Sequence, residues 1–379
     1  KTTKPNVPNL RFPGFEGEWE LKKLSAYLYE NKERNRNGEF NKSDVLSVSG
    51  DCGIVNQIEL LGRSFAGKSV ADYHVVRTDD IVYTKSPLKE YPYGIVKYNN
   101  GQDGIVSTLY AVYHHKDNVD GQFVEYYFTN PQRTNRYFKP IVRIGAKHDM
   151  KIGNEEVLDS FVVFPGLEEQ RKITEMLSLL DLRIAIQNKV IEKYESLIKA
   201  LRHHLFSTLE SVKEVPVADL LSYEQPTKYI VSDTEYSNNT DLTPVLTANK
   251  AFILGYTDEV EGIYDKGPCI ILDDFTLDSK IVEFPFKVKS SAIKILSAKT
   301  TVSLRYIFEY LKFLDLNTEE HKRHYIAEIE PMSIELPEED TIKSIAFLFD
   351  LMDKRRKGLE RGQQLLKSQK DYLLREIFI

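Results

Sequence analysis

A gapless internal repeat constrains this chain more than any other feature of its sequence. Residues 172 positions apart match over two stretches, and the matched pairs are Pro165 with Pro337, Ile173 with Ile345, Asp181 with Asp353, Arg183 with Arg355, Leu201 with Leu373, and Phe206 with Phe378. Acidic residues follow the proline in each copy, which suits the positive end of a helix dipole. The repeat therefore predicts two related helices, each beginning just after its proline.

The first copy has the heptad pattern of a helix that pairs with another helix. Ten positions follow alternating spacings of four and three from Ile173 to Leu205, and all but Gln187 are apolar or aromatic. Neither Gly nor Pro interrupts residues 168–206. A helix of that length would extend about 58 Å. It would be too long to lie inside one small domain.

The second copy keeps the register with a weaker pattern. The seam is the stripe of heptad positions along which the two helices are predicted to pack. Arg356 and Lys370 occupy seam positions of the second copy, and Gly358 and Gly362 lower its intrinsic helix stability. We therefore expect the second helix to form only against the first. The residues predicted to pair the two helices are Ile173, Leu177, Leu180, Ile184, Ile191, Ile198, Leu201, Ile345, Phe349, Met352, Leu359, Leu366 and Leu373.

A segment rich in β-branched and aromatic residues precedes each helix. Short β-like runs in these segments are separated by Gly, Asn and Asp turns. The predicted fold class is α+β, with two mixed globular segments alternating with two long helices. The predicted boundaries are 1–166, 167–206, 207–337 and 338–379.

The net charge of −6 argues against a nucleic-acid partner only when it is averaged over the chain. Residues 207–337 carry a net charge of −9, whereas residues 1–166 carry +1. Basic residues also cluster locally, over residues 131–151 and 280–305. Because phosphate binding requires local cations rather than a basic average, DNA contact stays open, beside the simpler interpretation of solvated charged faces.

One short motif suggests a nucleotide-binding enzyme. Gly62–Ser69 fits the pattern G-x-x-x-x-G-K-[ST], in which backbone amides surround phosphates, Lys68 would reach the outer phosphates and Ser69 would bind magnesium. Such a loop follows a buried strand and precedes a helix. The preceding residues are not strongly apolar, and few residues remain for a helix before Asp79. We therefore expect a surface loop here.

Other composition features exclude several classes of protein. Two cysteines, Cys52 and Cys269, cannot form a zinc cage or a disulfide framework, which favours a reducing compartment. No apolar run is long enough for a transmembrane helix, and no secretory signal is evident. No histidine pair has metal-ligand spacing, and no nucleophile–base pair is recognisable.

Several motifs, in this order, resemble the specificity subunits of bacterial type I restriction-modification systems. They are Pro8–Trp19 (PNLRFPGFEGEW), Asp80–Pro87 (DIVYTKSP), Gly104–Tyr110 (GIVSTLY), Asp273–Thr276 (DDFT), Ser291–Leu296 (SAIKIL), and the helix openings Pro165–Gln170 and Pro337–Ile342. The resemblance covers essentially the whole chain. It is strengthened by the order of the motifs and by the duplication.

The resemblance implies a non-catalytic subunit that reads a split DNA site with two target recognition domains. The two long helices would pair as an antiparallel coiled coil, separate the domains and dock two methyltransferase subunits. S-adenosylmethionine, ATP and Mg would be bound by the partner methyltransferase and restriction–translocase subunits, with no cofactor on this chain. The implied location is the bacterial cytoplasm, on DNA.

Cations, hydroxyls, amides and aromatics in polar loops are the candidate DNA contacts, because such groups bind phosphates and base edges. In the first domain they are Lys85, Ser86, Lys89, Tyr91, Tyr93, Arg143 and Lys147. In the second they are Asn249, Lys250, Lys280, Lys287, Lys289 and Lys294. Asp80, Gly104, Asp273 and Phe275 are interpreted as scaffold. The alternatives are a nucleotide-binding protein that uses Gly62–Ser69 and a coiled-coil adaptor without a DNA role.

Overall fold

The computed structural model describes residues 6–144, 150–247, 251–316 and 322–379, which form two compact units. The first unit comprises Lys1–Gln187 and Gly362–Ile379, and the second comprises Asn188–Arg361. The helices are α1 (Gln57–Leu61), α2 (Gly121–Thr129), α3 (Pro131–Phe138), α4 (Leu167–Ser207), α5 (Val217–Leu220), α6 (Leu304–Phe313) and α7 (Glu339–Glu376). The predicted mixed α+β class is confirmed.

Antiparallel pairing dominates the sheets of the first unit. Its strands are β1 (Glu20–Lys23), β2 (Leu28–Glu30), β3 (Leu46–Ser49), β4 (Gly53–Asn56), β5 (His74–Val76), β6 (Ile81–Tyr83), β7 (Val96–Tyr98), β8 (Gly104–Val106), β9 (Ala111–His115), β10 (Arg143–Ile144), β11 (Met150–Lys151) and β12 (Phe161–Phe164). The main sheet has the order β2-β9-β6-β7, and β1 pairs with β12 immediately before α4.

The second unit repeats this plan. Its strands are β13 (Lys213–Pro216), β14 (Leu221–Glu224), β15 (Thr243–Leu246), β16 (Ile253–Thr257), β17 (Cys269–Asp273), β18 (Ser279–Val282), β19 (Lys287–Val288), β20 (Ile293–Ala298) and β21 (Ser333–Leu336). The sheet order β14-β20-β17-β18 corresponds strand for strand to that of the first unit, and β13 pairs with β21 before α7. The duplication therefore includes the globular parts as well as the helices.

One inner strand of each main sheet, β6 or β17, lies between two cores. In β6, Ile81 and Tyr83 enter the core beneath α2, whereas Val82 enters a smaller core with β3 and β4. In β17, alternate residues likewise belong to two different cores. Side chains alternate between faces along a strand, so a strand covered on both faces is apolar throughout.

The repeat-related pair Phe206 and Phe378 has equivalent surroundings in the two units. The ring of Phe378 lies 5.3 Å from that of Phe123 and 6.0 Å from that of Tyr127, both on α2. The ring of Phe206 lies 5.5 Å and 5.2 Å from those of Tyr306 and Tyr310, both on α6. In each unit an aromatic pair at i,i+4 therefore packs against the end of a long helix.

Each unit contains the end of one long helix and the facing part of the other. In the first unit, Ile173 and Leu177 of α4 share a core with Leu374 and Ile377 near the end of α7. In the second unit, Arg202 near the end of α4 lies 5.6 Å from the ring of Phe349. Within each unit, the end of one helix thus packs beside the early part of the other.

All thirteen predicted helix-pairing residues are buried or half-buried, and none is exposed. The second helix is nevertheless continuous from Glu339 to Glu376, through both glycines that the sequence marks as weak points. The polar seam residues have partners: Lys370 donates a hydrogen bond to Asp181, and Arg356 donates to Asp353 and Glu360. Neutralised charges explain how polar groups are accommodated at the seam.

Within the described residues, no helix combines the length and apolarity that crossing a bilayer requires.

Candidate nucleic-acid interface

The loop between β6 and β7 in the first unit is held in place by its own predicted contact residues. Lys85, at φ 48°, donates from Nζ to the carbonyl of Ile152 at 2.9 Å and to the Asn154 side chain. The Tyr91 hydroxyl donates to the carbonyl of Thr129, and burial raises the pKa of Tyr91 to about 12. These two side chains are therefore anchors of the loop.

The tip of the same loop faces solvent. Leu88 and Tyr91 exchange backbone hydrogen bonds of 3.0 and 3.1 Å, which closes a tight turn around Lys89. Lys89 is exposed, whereas Tyr93 is half-buried against the core and Ser86 donates to the carbonyl of Thr84. An anchored turn with an exposed ammonium group at its tip is preorganised for contact with a phosphate or a base edge.

A second cationic position in the first unit is the β10–β11 hairpin. Arg143 on β10 is directly opposite Lys151 on β11, and both are exposed. Like charges on opposing strands repel, and a bound anion would relieve this repulsion. Lys147 lies outside the described residues, as do Asn249 and Lys250 in the second unit.

In the second unit, two of the predicted contact lysines are buried. Lys294 is 1% exposed, lies 3.2 Å from Asp274 and donates to the Tyr223 hydroxyl at 3.0 Å. Asp274 in turn accepts from the backbone amides of His324 and Tyr325. Because this network is closed inside the fold, Lys294 is a scaffold residue here rather than a surface cation.

Lys287 is buried, as Lys294 is, whereas Lys289 is exposed. The Lys287 ammonium group donates to the carbonyl of Glu261 at 2.6 Å and lies 2.8 Å from the Glu259 carboxylate. Lys289, two residues later, is exposed, and Lys280 on β18 is half-buried in a cleft. Of the described lysines predicted in this unit, Lys280 and Lys289 are thus available to a ligand.

The residues interpreted as scaffold hold turns or buried contacts. Asp80 is 2% exposed and accepts from the Arg77 amide and the Asn31 side chain. Asp273 accepts from the backbone amides of Phe275 and Thr276 in the turn after β17. The structure therefore explains Asp80 and Asp273 in these motifs by their role in folding of the two main sheets.

The segment Gly62–Ser69 lacks the geometry of a phosphate loop. Helix α1 precedes Gly62 where a buried strand would be needed, and no helix forms between Gly62 and Tyr73. Arg63 instead lies over the ring of Phe65 at 4.5 Å, and the Phe65 amide donates to the Gln57 side chain at 2.6 Å. The loop is thus an ordered surface turn, and the nucleotide-binding alternative built on it is not supported.

No group of three or more His, Cys, Asp or Glu side chains is arranged to hold a metal ion within the part of the chain that the structure describes.

The fold and one segment of the sequence have counterparts among known proteins. Over 132 residues the chain is 43% identical to the specificity subunit of the type I restriction enzyme EcoR124I/EcoR124II of Escherichia coli, a match that covers 33% of this chain and 32% of the relative. The chain thus matches about a third of that relative's length. No protein-family model matches the chain.

Two solved structures share the fold over nearly their whole length. The S subunit of a type I restriction-modification system from M. genitalium matches 98% of this chain and 99% of its own, with a TM-score of 0.61 and 13% identity. A chain from a type I R-M system, described for its complex assembly and conformational transition, matches 95% of this chain and 96% of its own, with a TM-score of 0.53 and 13% identity.

The chain therefore has the fold of type I S subunits. The resemblance seen in its sequence motifs is confirmed by these matches.

Proposed function

We propose that this chain is the DNA-sequence specificity subunit of a type I restriction-modification complex. The observation that carries the proposal is the duplicated unit, in which two main sheets of identical strand order each adjoin a long helix. The fold shared with type I S subunits and the 43% identical segment support it. Residues 1–166 and 207–337 are the two target recognition domains, and each reads one half of a split site.

The chain itself performs no chemistry in this proposal. Its role is to select DNA, while S-adenosylmethionine, ATP and Mg are used by methyltransferase and restriction–translocase partners. The long helices at 167–206 and 338–379 form the antiparallel spacer between recognition domains. Helical spacing would then set the distance between half-sites, as subunit geometry does in dimeric DNA-binding proteins.

Among the described residues, the DNA contacts that we propose are those with exposed cationic groups. Lys89 and Arg143 serve the first domain, and Lys289 serves the second, together with Lys147, Asn249 and Lys250 from outside the described residues. Lys85, Tyr91, Lys287 and Lys294 support the loops and sheets that present these contacts. The other predicted contacts, Ser86, Tyr93 and Lys280, are half-buried and are left out of the proposed set. The supporting side chains are buried or hydrogen-bonded within the fold, whereas Lys89, Arg143 and Lys289 are exposed.

Replacing exposed lysines tests the DNA-binding proposal. We expect Lys89→Ala and Lys289→Ala each to weaken duplex binding and to reduce the slope of log affinity against log salt by about one, because each removes one phosphate contact. Fluorescence anisotropy over a salt series measures both quantities. Lys213→Ala, an exposed lysine on β13, is the control. An unchanged slope would remove the residue from the interface.

Repeat-related apolar positions on the two long helices support a pair of partner surfaces. Leu179 on α4 is 60% exposed and Leu351, 172 residues later on α7, is 47% exposed. Leu182 lies beside the first of these and Phe347 beside the second, at 56% and 65% exposure. Exposed apolar patches on otherwise charged helices are typical of protein–protein contacts, and two equivalent patches fit two copies of one methyltransferase partner.

Charge introduced into these patches tests partner docking. We expect Leu179→Asp and Leu351→Asp each to remove one of two methyltransferase copies, because a carboxylate would be desolvated in the contact. Mass photometry of the assembled complex gives the stoichiometry. Ser368 on α7 is exposed as well, so Ser368→Asp is the control. Full assembly of both leucine variants would contradict docking at these positions.

A further inference from the structure

A large cleft in the second unit is lined by groups that the proposed function does not use. Its volume is about 670 Å³, within the range of small-molecule sites. Residues of β18 and α6 form part of its wall, and residues of α4 and α7 that belong to this unit complete it. The cleft is therefore roomy enough for a ligand of nucleotide size.

Most of the charged side chains around the cleft neutralise one another. The Arg202 side chain lies 2.7 Å from Glu309, and Arg305 lies 2.7 Å from Asp350. Arg356 bridges two carboxylates on its own helix. These arginines are committed to ion pairs, so they supply little free positive charge to a ligand.

Two lysines in the cleft differ from these arginines. Lys280 on β18 and Lys312 on α6 form no ion pair within the described residues, and the Lys312 ammonium group lies 5.9 Å from the centre of the Phe308 ring. Burial lowers the pKa of Lys312, and the positive charge of Lys280 lowers it further. The negative charges of Asp278 and Glu309 act in the opposite direction and raise it. Two half-buried ammonium groups that repel each other favour a bound anion.

An exposed aromatic ring lines the same cleft as these two lysines. Phe284, two residues after β18, is 41% exposed, and its ring lies 6.4 Å from that of Phe252 at an interplanar angle of 65°. Both rings line the same cleft as the lysines. Nucleic-acid bases stack favourably on exposed aromatic rings, whatever the base, because every base has a π-face.

We infer that this cleft binds a nucleotide, with its phosphates at Lys280 and Lys312 and its base against Phe284. The nucleotide is either free in solution or one unit of a single DNA strand, since both present the same phosphate and base. The inference goes beyond the proposed function, because it requires neither a duplex nor a partner subunit.

Equilibrium binding to the full-length chain tests the inference, with ADP, ATP and an eight-residue single-stranded oligothymidylate as probes. Saturable binding of any of the three is expected. Lys280→Ala and Phe284→Ala should each weaken it about tenfold, since a charged contact or a stacking contact is lost. Lys312→Met, which preserves most of the buried stem, should weaken it similarly. Thermal unfolding of each variant establishes that it is folded.

Two control variants test whether the loss of affinity is specific to the cleft. Lys213→Ala removes an exposed lysine elsewhere in the unit, and Lys68→Ala removes the lysine of the Gly62–Ser69 loop. Neither should change the affinity. Binding of ADP or ATP identifies a free nucleotide as the ligand, and binding of the oligonucleotide alone identifies a nucleotide within a strand. Absence of binding by all three probes, or binding that Lys280→Ala and Phe284→Ala leave unchanged, overturns the inference while leaving duplex recognition untouched.

Discussion

Replacing Leu177 with Asn is expected to destabilise the first unit by about 4 kcal/mol, because an apolar side chain is lost from the core and an amide is buried without a hydrogen-bond partner. Leu177 is completely buried and belongs to the core that contains Leu374 and Ile377 of α7. Its position follows directly from the heptad register. Chemical denaturation followed by circular dichroism measures the loss.

The neighbouring Leu179 provides a matched control for this substitution. It lies on the same helix, two residues further on, but is 60% exposed. Leu179→Asn should therefore change the free energy of unfolding by less than about 0.5 kcal/mol. Equal losses in the two variants, or unchanged stability in Leu177→Asn, would show that the seam assignment is wrong.

Replacing Lys294 with Ala is expected to cost about 3–5 kcal/mol of folding stability, because the buried Asp274 carboxylate loses its counter-charge. The two side chains are 1% and 2% exposed and lie 3.2 Å apart. Removing one member of a buried pair leaves the other charged group desolvated. Denaturation of the isolated chain measures the effect.

Lys289→Ala should affect DNA binding rather than folding stability, the reverse of what is expected for Lys294→Ala. Lys289 is exposed, so its loss should barely change stability, yet it should weaken DNA binding in a salt-dependent manner. If Lys294→Ala left stability unchanged and reduced the salt slope instead, Lys294 would be a DNA contact and the scaffold assignment would fail.

The long helices were predictable because their periodicity is local information in the sequence. A heptad pattern specifies which face is buried whatever the partner, and all thirteen seam residues predicted from it are buried or half-buried. The continuity of α7 was not predictable from propensity, since the ion pair between Lys370 and Asp181 joins residues far apart in the chain. Tertiary contacts therefore stabilise α7 although Gly358 and Gly362 lower its intrinsic helix stability.

The candidate contacts were less predictable, because charge in a sequence does not reveal burial. Lys287 and Lys289 are two residues apart, yet the first is buried and the second exposed. Lys287 is in β19, and β19 pairs with β15, a strand that is distant in the sequence. The partners of Lys287, at Glu259 and Glu261, carry no sequence signal that links them to it. The cleft around Lys312 likewise depends on the packing of α6 and is not visible in any motif.

Selection from randomised duplex DNA tests whether the two recognition domains read a split site. The chain, assembled with its methyltransferase partners, is incubated with a randomised library, and the bound fraction is sequenced. We expect enrichment of two short conserved half-sites separated by a spacer of fixed length and random sequence. Enrichment of a single uninterrupted motif, or of no motif at all, would contradict the proposal that two recognition domains read a split site.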